Sequence, residues 1–511
     1  MAKKLSNFES LLFLPIKTII TNICCCRLNL FRKVSPLQYS DFSKQPSSLR
    51  NQDSVLMFNM EGTLLKSPSI FPYFMLVAFE AGSPLRALIL LLLYPLICSV
   101  GGEMGLKIMV FVSFVGLKAG SFRVGRSVLP KFFLEDVGLQ GFEMVMRHER
   151  KVGFTNLPRI MVEGFMKHYL GIEAVVGREM VVFHGYFSGL MEERRPFEPS
   201  LNSEIIGFDC FNNSLGQNFQ SPFKALHLIT EAEKRTWQTL PRSKYPKPLI
   251  FHDGRLAFRP TPLASLTMFI WLPFGFLLFI IRTLIGTFLP YQISIPLLHV
   301  TGMGGFFSKP QSFHPDKSKG TLYVCNHRTL FDPCYISMCT NKPLTAVTYS
   351  LSKFSEWIAP IKTTRITRNK DKDMMLIQEL LTKTDLAICP EGTTCREPYL
   401  LRFSPMFAEV AKDIVPVAID MKCTMFYGTT AGGWKGLDPV FQLMNPYVWC
   451  ELKILEKVPH CMVCETGGQS RVEVANYVQS EIGKALNFEC TSMTRKDKYL
   501  FLANNEGFVT S

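Results

Sequence analysis

Thr321-Leu322-Tyr323-Val324-Cys325-Asn326-His327-Arg328-Thr329-Leu330-Phe331-Asp332 is the stretch on which the reading of this chain turns. Thr321 to Cys325 forms a short apolar run of the length of a buried strand, and a polar cluster follows it directly. His327 therefore falls at a strand end, where ligands collect in open α/β sheets. An alcohol is a poor nucleophile until a base takes its proton, and an imidazole that titrates near neutrality suits that work. A carboxylate on the other ring nitrogen fixes the tautomer and steadies the imidazolium, the role open to Asp332. The attacking hydroxyl would belong to the substrate, so no catalytic serine is needed.

Downstream, Asp385 to Cys389 and Asp413 to Ile419 are further short apolar runs ending near polar clusters, with helical sequence such as Asp373 to Thr382 between them. Strands alternating with helices predict an α/β sheet with its site at the strand ends. Two more clusters lie in this half. Lys362 to Lys370 alternates Arg365, Arg368 and Lys370 with neutral residues, a pattern suited to phosphate or to an ordinary solvated basic face. Pro390-Glu391-Gly392-Thr393-Thr394-Cys395-Arg396-Glu397-Pro398 puts a carboxylate, a glycine turn, hydroxyls and an arginine on one loop. That set could hold a polyol phosphate, although a capped loop uses the same residues.

Upstream, Leu263 to Ile281 is a run of nineteen uncharged residues, about the length a bilayer core demands of a helix. Arg282 interrupts it before a second uncharged run from Thr283 to Phe307. Pro273 and Gly275 leave a kinked or re-entrant helix as open as a straight span. Ala87 to Val100 and Met104 to Leu117, separated by Gly101, Gly102 and Glu103, predict paired helices dipping into one leaflet. Leu11 to Cys26 is an apolar segment without a small-residue cleavage site, read as retained, and Cys24, Cys25 and Cys26 are candidates for palmitoylation. Ser35 to Ser54 reads as a linker, Val55 to Phe58 as a buried strand running into the turn at Asn59, and Glu204 to Gln220 as a loop. The chain thus divides into an N-terminal segment and linker (1–53), an α/β domain with inserted apolar helices (54–241), a connector with membrane segments (242–319) and a second α/β domain (320–511).

Composition agrees with a protein that meets lipid. Hydrophobic residues make up 47% and charged residues 19%, against about 25% charged in ordinary soluble domains, and the mean hydropathy is +0.14. The formal net charge of +14 attracts anionic lipid headgroups, phosphates or coenzyme A. The basic residues are spread along the chain and form no nucleic-acid motif, which excludes that class of partner. Fifteen Cys show no disulfide framework, and the lone pair Cys461 and Cys464 has no second pair to complete a zinc site.

Taken in order, Asn326-His327-Arg328-Thr329-Leu330-Phe331-Asp332, Arg368, Pro390-Glu391-Gly392-Thr393-Thr394 and Val415-Pro416-Val417-Ala418 resemble the four blocks of the glycerolipid acyltransferases, the first being their HxxxxD block. Tyr245 to Leu256 and Cys395 to Ser404 look more narrowly like the land-plant glycerol-3-phosphate acyltransferases. The resemblance implies His327 as base and Asp332 as its orienter, with Arg368, Glu391 and Gly392 at the acceptor site. Arg396 joins them by charge and position. It further implies acyl-CoA as co-substrate, no bound cofactor or metal, and glycerol 3-phosphate as acceptor at sn-2 or sn-1. Lysophosphatidic acid is then the product, within cutin-type or storage-lipid synthesis. A lysophospholipid acyltransferase and a non-catalytic lipid-binding scaffold are the alternatives.

The first domain of that group resembles a haloacid-dehalogenase-type phosphatase, whose first motif is Asp-x-Asp-Gly-Thr. This chain reads Asn59-Met60-Glu61-Gly62-Thr63. An amide cannot form an aspartyl-phosphate and gives Mg²⁺ no charge, while Glu61 carries its carboxyl one methylene too far. Thr155 stands as a second motif, and the later acidic pair is reduced to Asp209. The expectation is a retained fold without the phosphatase reaction. Membrane segments and cytosolic acyl-CoA point to the endoplasmic reticulum with the catalytic block facing the cytosol, a mitochondrial membrane being the alternative.

Overall fold

A computed structural model describes residues 55–172, 174–192, 205–210, 225–311, 320–349, 351–367 and 369–505. Leu11 to Cys26, the three adjacent cysteines, the 35–54 linker and Arg368 lie outside them.

The first domain is built on five parallel strands: β1 (Val55–Asn59), β2 (Arg150–Pro158), β3 (Ala174–Arg178), and, after the antiparallel hairpin β4 (Met180–Phe183) and β5 (Tyr186–Met191), β6 (Ile205–Cys210) and β7 (Ala225–Ile229). Their order is β3-β2-β1-β6-β7, with β1 at the centre and the strand order reversing on either side of it. Every residue of β1 is buried, as a central parallel strand covered on both faces requires. Part of the 204–220 stretch corrects the sequence reading. Ile205–Cys210 is a strand paired to both β1 and β7. In the sequence, Asp209 and the Asn/Gln-rich run after it mask the short apolar run Ile205-Ile206-Gly207-Phe208.

The short helix α1 (Met60–Thr63) follows β1, and the apolar insertion between β1 and β2 contains α2 (Pro84–Leu92), α3 (Tyr94–Val100) and α4 (Gly102–Phe114). Ser83 caps α2 by accepting from the Arg86 amide, with Pro84 in the first turn. Ala87, Leu90, Leu106 and Val110 face the core, while Leu85, Leu92, Leu96, Met104 and Phe111 are exposed.

A 27-residue helix follows, α5 (Pro262–Phe288), begun by a Thr261 cap and Pro262. It is the one described helix long and apolar enough to cross a membrane. It runs through Pro273 without a break and is about 40 Å long at 1.5 Å per residue. Its buried positions Ser265, Met268, Gly275, Phe279 and Arg282 form one stripe. Along that stripe Trp271 Nε1 donates to Met444 O at 2.8 Å. A Cβ on Gly275 would stand 3.1 Å from the same carbonyl. Arg282 is only 1% exposed. Its guanidinium donates to the carbonyls of Leu443 and Asn445, both at 2.7 Å, and to that of Thr301. The helix is therefore docked along its length, and the opposite face exposes Ile270, Phe274, Leu277, Leu284 and Phe288. The uncharged run beyond Arg282 divides into the end of α5, a second helix α6 (Tyr291–Val300), and a strand, β8 (Met303–Ser308).

That strand joins the second sheet, with β9 (Leu322–Cys325), β10 (Leu344–Thr348), β11 (Lys362–Arg365), β12 (Asp385–Ile388), and, after the short β13 (Tyr399–Leu400), β14 (Ile414–Cys423) and β15 (Val448–Ile454). The order is β11-β10-β12-β9-β14-β15-β8, parallel from β11 to β14. The β14–β15 pair is antiparallel. The sheet thus starts in residues that read as connector, at an edge strand of which Gly304 and Gly305 weaken the sequence signal. Helices α7 (Asp332–Thr340), α8 (Lys370–Leu381) and α9 (Arg495–Ala503) belong to this half.

A strap between the sheets ties them together. Asp253 accepts from the amides of Ala431 (2.9 Å) and Gly432 (3.0 Å) and gives its own amide to Ser127 O. Glu80 from the first domain accepts from the amides of Arg255 at 2.6 Å and Leu256 at 2.9 Å.

Candidate active site

Where β9 ends, Asn326 behaves as one more strand residue: its side chain donates to Ile419 O and accepts from Ile419 N, both at 2.8 Å. This fixes the next residue, His327, beside the middle of β14. The backbone of His327 is held on both sides by the loop after β12, its amide donating to Glu391 Oε1 (2.7 Å) and its carbonyl accepting from Cys395 N (2.8 Å).

Asp332 opens α7, where the helix dipole favours an acid. Its Oδ2 lies 2.8 Å from His327 Nδ1 and also accepts from the amides of Arg328 at 2.7 Å and Thr329 at 3.0 Å. Its Oδ1 takes the amide and hydroxyl of Thr329. A carboxylate only accepts, so Nδ1 carries the ring proton and Nε2 is left as the basic nitrogen. Asp332 is 0% exposed and the His327 side chain 22%, so the orienting acid is dry while the imidazole can be reached. Burial opposes protonation of His327, but the adjacent Cys389 sulfur and the Asp332 carboxylate outweigh it and hold the imidazole well above its usual value. Among the described residues, His327, Asp332 and Cys389 are also the grouping with metal-ligand spacing. Both Asp332 oxygens are already saturated by donors, so the set fits a base and its orienter rather than an ion.

His327 opens on a cavity of about 160 Å³ with two unlike sets of lining residues. Leu330, Phe331, Val347, Ile358 and Ile361 are its apolar lining; Thr393, Thr394, Lys435, Arg495, Lys498 and Tyr499 are its polar and cationic lining. Gly392 also lines it, at φ +66, the left-handed conformation that lets the loop reverse between Glu391 and the two threonines.

The other sequence-derived site residues fare differently. Glu391 is 4% exposed. It spends its two oxygens on the amides of His327 and Leu401 (3.0 Å), and burial pushes its carboxyl up to about 7. It buttresses the His327 backbone and is not among the residues that line the cavity. Arg396 is not among the cavity-lining residues: it donates to the carbonyl of Thr429, which does line it, lies 3.8 Å from Asp253 and stacks 4.2 Å over Tyr427. Arg365 is paired to Glu356 at 2.8 Å and Lys370 to Glu409 at 3.0 Å, so the basic cluster around the undescribed Arg368 is engaged in surface ion pairs. Lys435, Arg495, Lys498 and Tyr499 were not legible as site residues; the only signal was the basic run at the start of α9.

In the first domain, Asn59 caps α1, accepting from Gly62 N at 2.9 Å. The Glu61 carboxyl turns inward to accept from the Thr155 hydroxyl and from the amides of Asn156 (3.1 Å) and Leu157 (3.3 Å). Burial raises its pKa despite these donors. Asp209 is buried in β6.

Residues 55–218 match the family described as glycerol-3-phosphate acyltransferase RAM2-like, HAD-like domain, and residues 308–420 match the acyltransferase family. The chain is 48% identical over 529 residues to "Probable glycerol-3-phosphate acyltransferase 3" of Arabidopsis thaliana, covering 100% of this chain and 99% of that one. It is 48% identical over 478 residues to "Glycerol-3-phosphate acyltransferase 1" of the same plant, covering 88% and 81%. To "Glycerol-3-phosphate acyltransferase RAM2" of Petunia hybrida it is 40% identical over 473 residues, covering 88% and 98%.

Proposed function

From the premise that this chain belongs to the plant glycerol-3-phosphate acyltransferase family, we propose that His327 and Asp332 carry out its acyl transfer. The enzyme moves a fatty acyl group from acyl-CoA to glycerol 3-phosphate, giving lysophosphatidic acid. His327 Nε2 takes the proton of the acceptor hydroxyl as its oxygen bonds to the thioester carbonyl carbon. The tetrahedral intermediate collapses by breaking the C–S bond, and the imidazolium returns the proton to the departing coenzyme A thiolate. Asp332, fixed by backbone amides before substrate arrives, stabilises the imidazolium without reorganising. The acyl chain starts along the apolar lining at Leu330, Phe331 and Ile361.

The observation that carries this reading is the 2.8 Å contact of a dry carboxylate with a reachable imidazole beside a cavity lined by both apolar and cationic residues. Acyl transfer from acyl-CoA to labelled glycerol 3-phosphate tests it. A base of this kind contributes about 100- to 10,000-fold, so His327→Ala should fall by that factor; undiminished turnover by a folded variant removes His327 from the mechanism.

The partner at the apolar faces is a lipid bilayer. Exposed residues of α2 to α4, the β4–β5 hairpin tip (Val182, Phe183), α5 and α6 belong to elements in mutual contact, and soluble monomers rarely expose so large an apolar patch. Because α5 is docked on one face, its outward face alone enters lipid. The endoplasmic reticulum membrane, with the site toward cytosolic acyl-CoA, is the location that fits; a mitochondrial membrane is the alternative. The first domain acts as scaffold, so the phosphate stays on the product for cutin-type or other glycerolipid synthesis.

A further inference from the structure

We infer that the acceptor's phosphate is held by a cationic pole made of Lys498, Arg495 and Lys435, brought to the cavity by α9 and the loop before residue 438. This rests on the reading that the cavity acylates a phosphorylated acceptor, and it names the residues that recognise the phosphate.

Lys498 is the centre of the case. The residue is 7% exposed. Its ammonium touches only neutral oxygens: Thr393 Oγ1 at 3.2 Å, Thr394 Oγ1 at 3.4 Å and the Thr394 carbonyl. Among the described residues no carboxylate lies within ion-pair distance of it. Burying a charge without a counter-charge is costly, and burial accordingly lowers the Lys498 pKa. A bound dianion would remove that cost.

Its neighbours add to the positive field. Arg495 Nη1 donates to Gly392 O at 3.2 Å, and Lys435 Nζ to the Tyr499 hydroxyl at 3.2 Å. Tyr499, lying among all three, reports on them. Burial raises its phenol, yet Lys435, Lys498 and Arg495 together pull it below its usual value. One acid lines the cavity, Asp438, and it is answered by Arg255 at 2.7 Å. The Thr393 hydroxyl is a further donor beside the cations, while that of Thr394 lies 3.1 Å from the Thr429 hydroxyl.

Two sources of phosphate fit such a site, the acceptor and coenzyme A. The Thr394–Cys395 peptide decides between them. Its carbonyl accepts from Lys498 and its amide donates to the His327 carbonyl, so one peptide unit separates the ammonium from the residue carrying the base. A three-carbon acceptor keeps its phosphate that close to its reacting hydroxyl, whereas the pantetheine arm holds the coenzyme A phosphates far from the thioester.

The test is Lys498→Met in the full-length membrane enzyme, with glycerol 3-phosphate and acyl-CoA varied separately. A charge-assisted contact of this kind corresponds to about 10- to 100-fold in affinity. The KM for glycerol 3-phosphate should rise by that factor, more than kcat falls, with the KM for acyl-CoA unchanged. Inorganic phosphate should raise the melting temperature of the wild type and not of the variant. A rise in the acyl-CoA KM alone would assign the pole to coenzyme A and overturn the inference, as would unchanged constants in a folded variant. If Lys498→Met does not fold, Lys435→Met gives the same shift more weakly, and no shift there counts against the pole. A wild type that binds inorganic phosphate through Lys498 but never acylates glycerol 3-phosphate would sink the proposed function and leave the phosphate site standing.

Discussion

Two carboxylates occupy equivalent places in the two halves of this molecule, Glu61 just beyond β1 and Asp332 in the loop-to-helix turn beyond β9. Both are buried, and both accept backbone amides and a threonine hydroxyl. They differ in what they face. Asp332 presents an oxygen to His327, which opens on a cavity. Glu61 is turned toward Thr155, and the position beside it that would have to supply a nucleophile is Asn59, whose oxygen caps α1. A strand-end acid satisfied by amides therefore turns to a threonine in one domain and to a cavity-lining imidazole in the other. The difference is one titratable neighbour with access to solvent.

The sharpest way to break that comparison is Asp332→Asn. It removes the charge that steadies the imidazolium and presents a donor to Nδ1, so turnover should fall on the order of 1,000- to 10,000-fold. The pH profile gives the sign. His327 must be neutral to accept a proton, and its raised pKa places the activating limb above 6.5. Activity in the wild type should climb with pH through that limb, and in the variant the residual activity should rise at lower pH because the raising carboxylate is gone. A limb that stays in place would separate Asp332 from the titration.

Glu391→Gln is the next test. It keeps an acceptor for one amide and opposes the other, and turnover should drop about tenfold through loss of His327 positioning. The Glu391 carboxyl sits at about 7 in the fold, above about 4.3 in the unfolded chain. Between those values the native state holds a proton that the unfolded state has released, so stability falls as pH rises through the window. Melting temperatures across pH 4.5 to 7.5 should fall more steeply with pH in the wild type than in the variant, which keeps the raised groups Glu61, His327 and Asp438.

In the other half, Glu61→Gln should leave acyl transfer within about twofold while costing about 1 to 3 kcal/mol of stability, because the buried amides of Asn156 and Leu157 lose a carboxylate acceptor. Smallest of all is Asn59→Asp. It restores the nucleophile's residue type but not the position of Glu61, and should release no inorganic phosphate from lysophosphatidic acid. Phosphate release from it would show that the first domain is one substitution from activity.

How much of this was legible beforehand differs by region. The strands β1, β9, β12 and β14 read correctly because each is a short apolar run with a polar break at its end. The strand β6 did not, since three apolar residues beside Asp209 carry too little pattern against an Asn- and Gln-rich surround. The apolar run over 283–307 hid β8, because a helix and an uncharged edge strand look alike in hydropathy alone. Within the site, His327 and Asp332 share one loop and could be read together. The partners of Glu391 and Arg396 are backbone groups, which no sequence pattern displays.

By itself the sequence determined the two α/β halves, the His327–Asp332 pair and the loss of the nucleophile at Asn59, since each depends on residues adjacent along the chain. Tertiary structure decided the rest. It turned Glu391 and Arg396 inward, docked one stripe of α5 against the second domain, and carried Lys498 from α9 to within one peptide unit of His327. Those outcomes depend on which carbonyl or amide a folded side chain meets, and contacts between residues far apart in sequence are set by packing and hydrogen-bond satisfaction, not by local pattern.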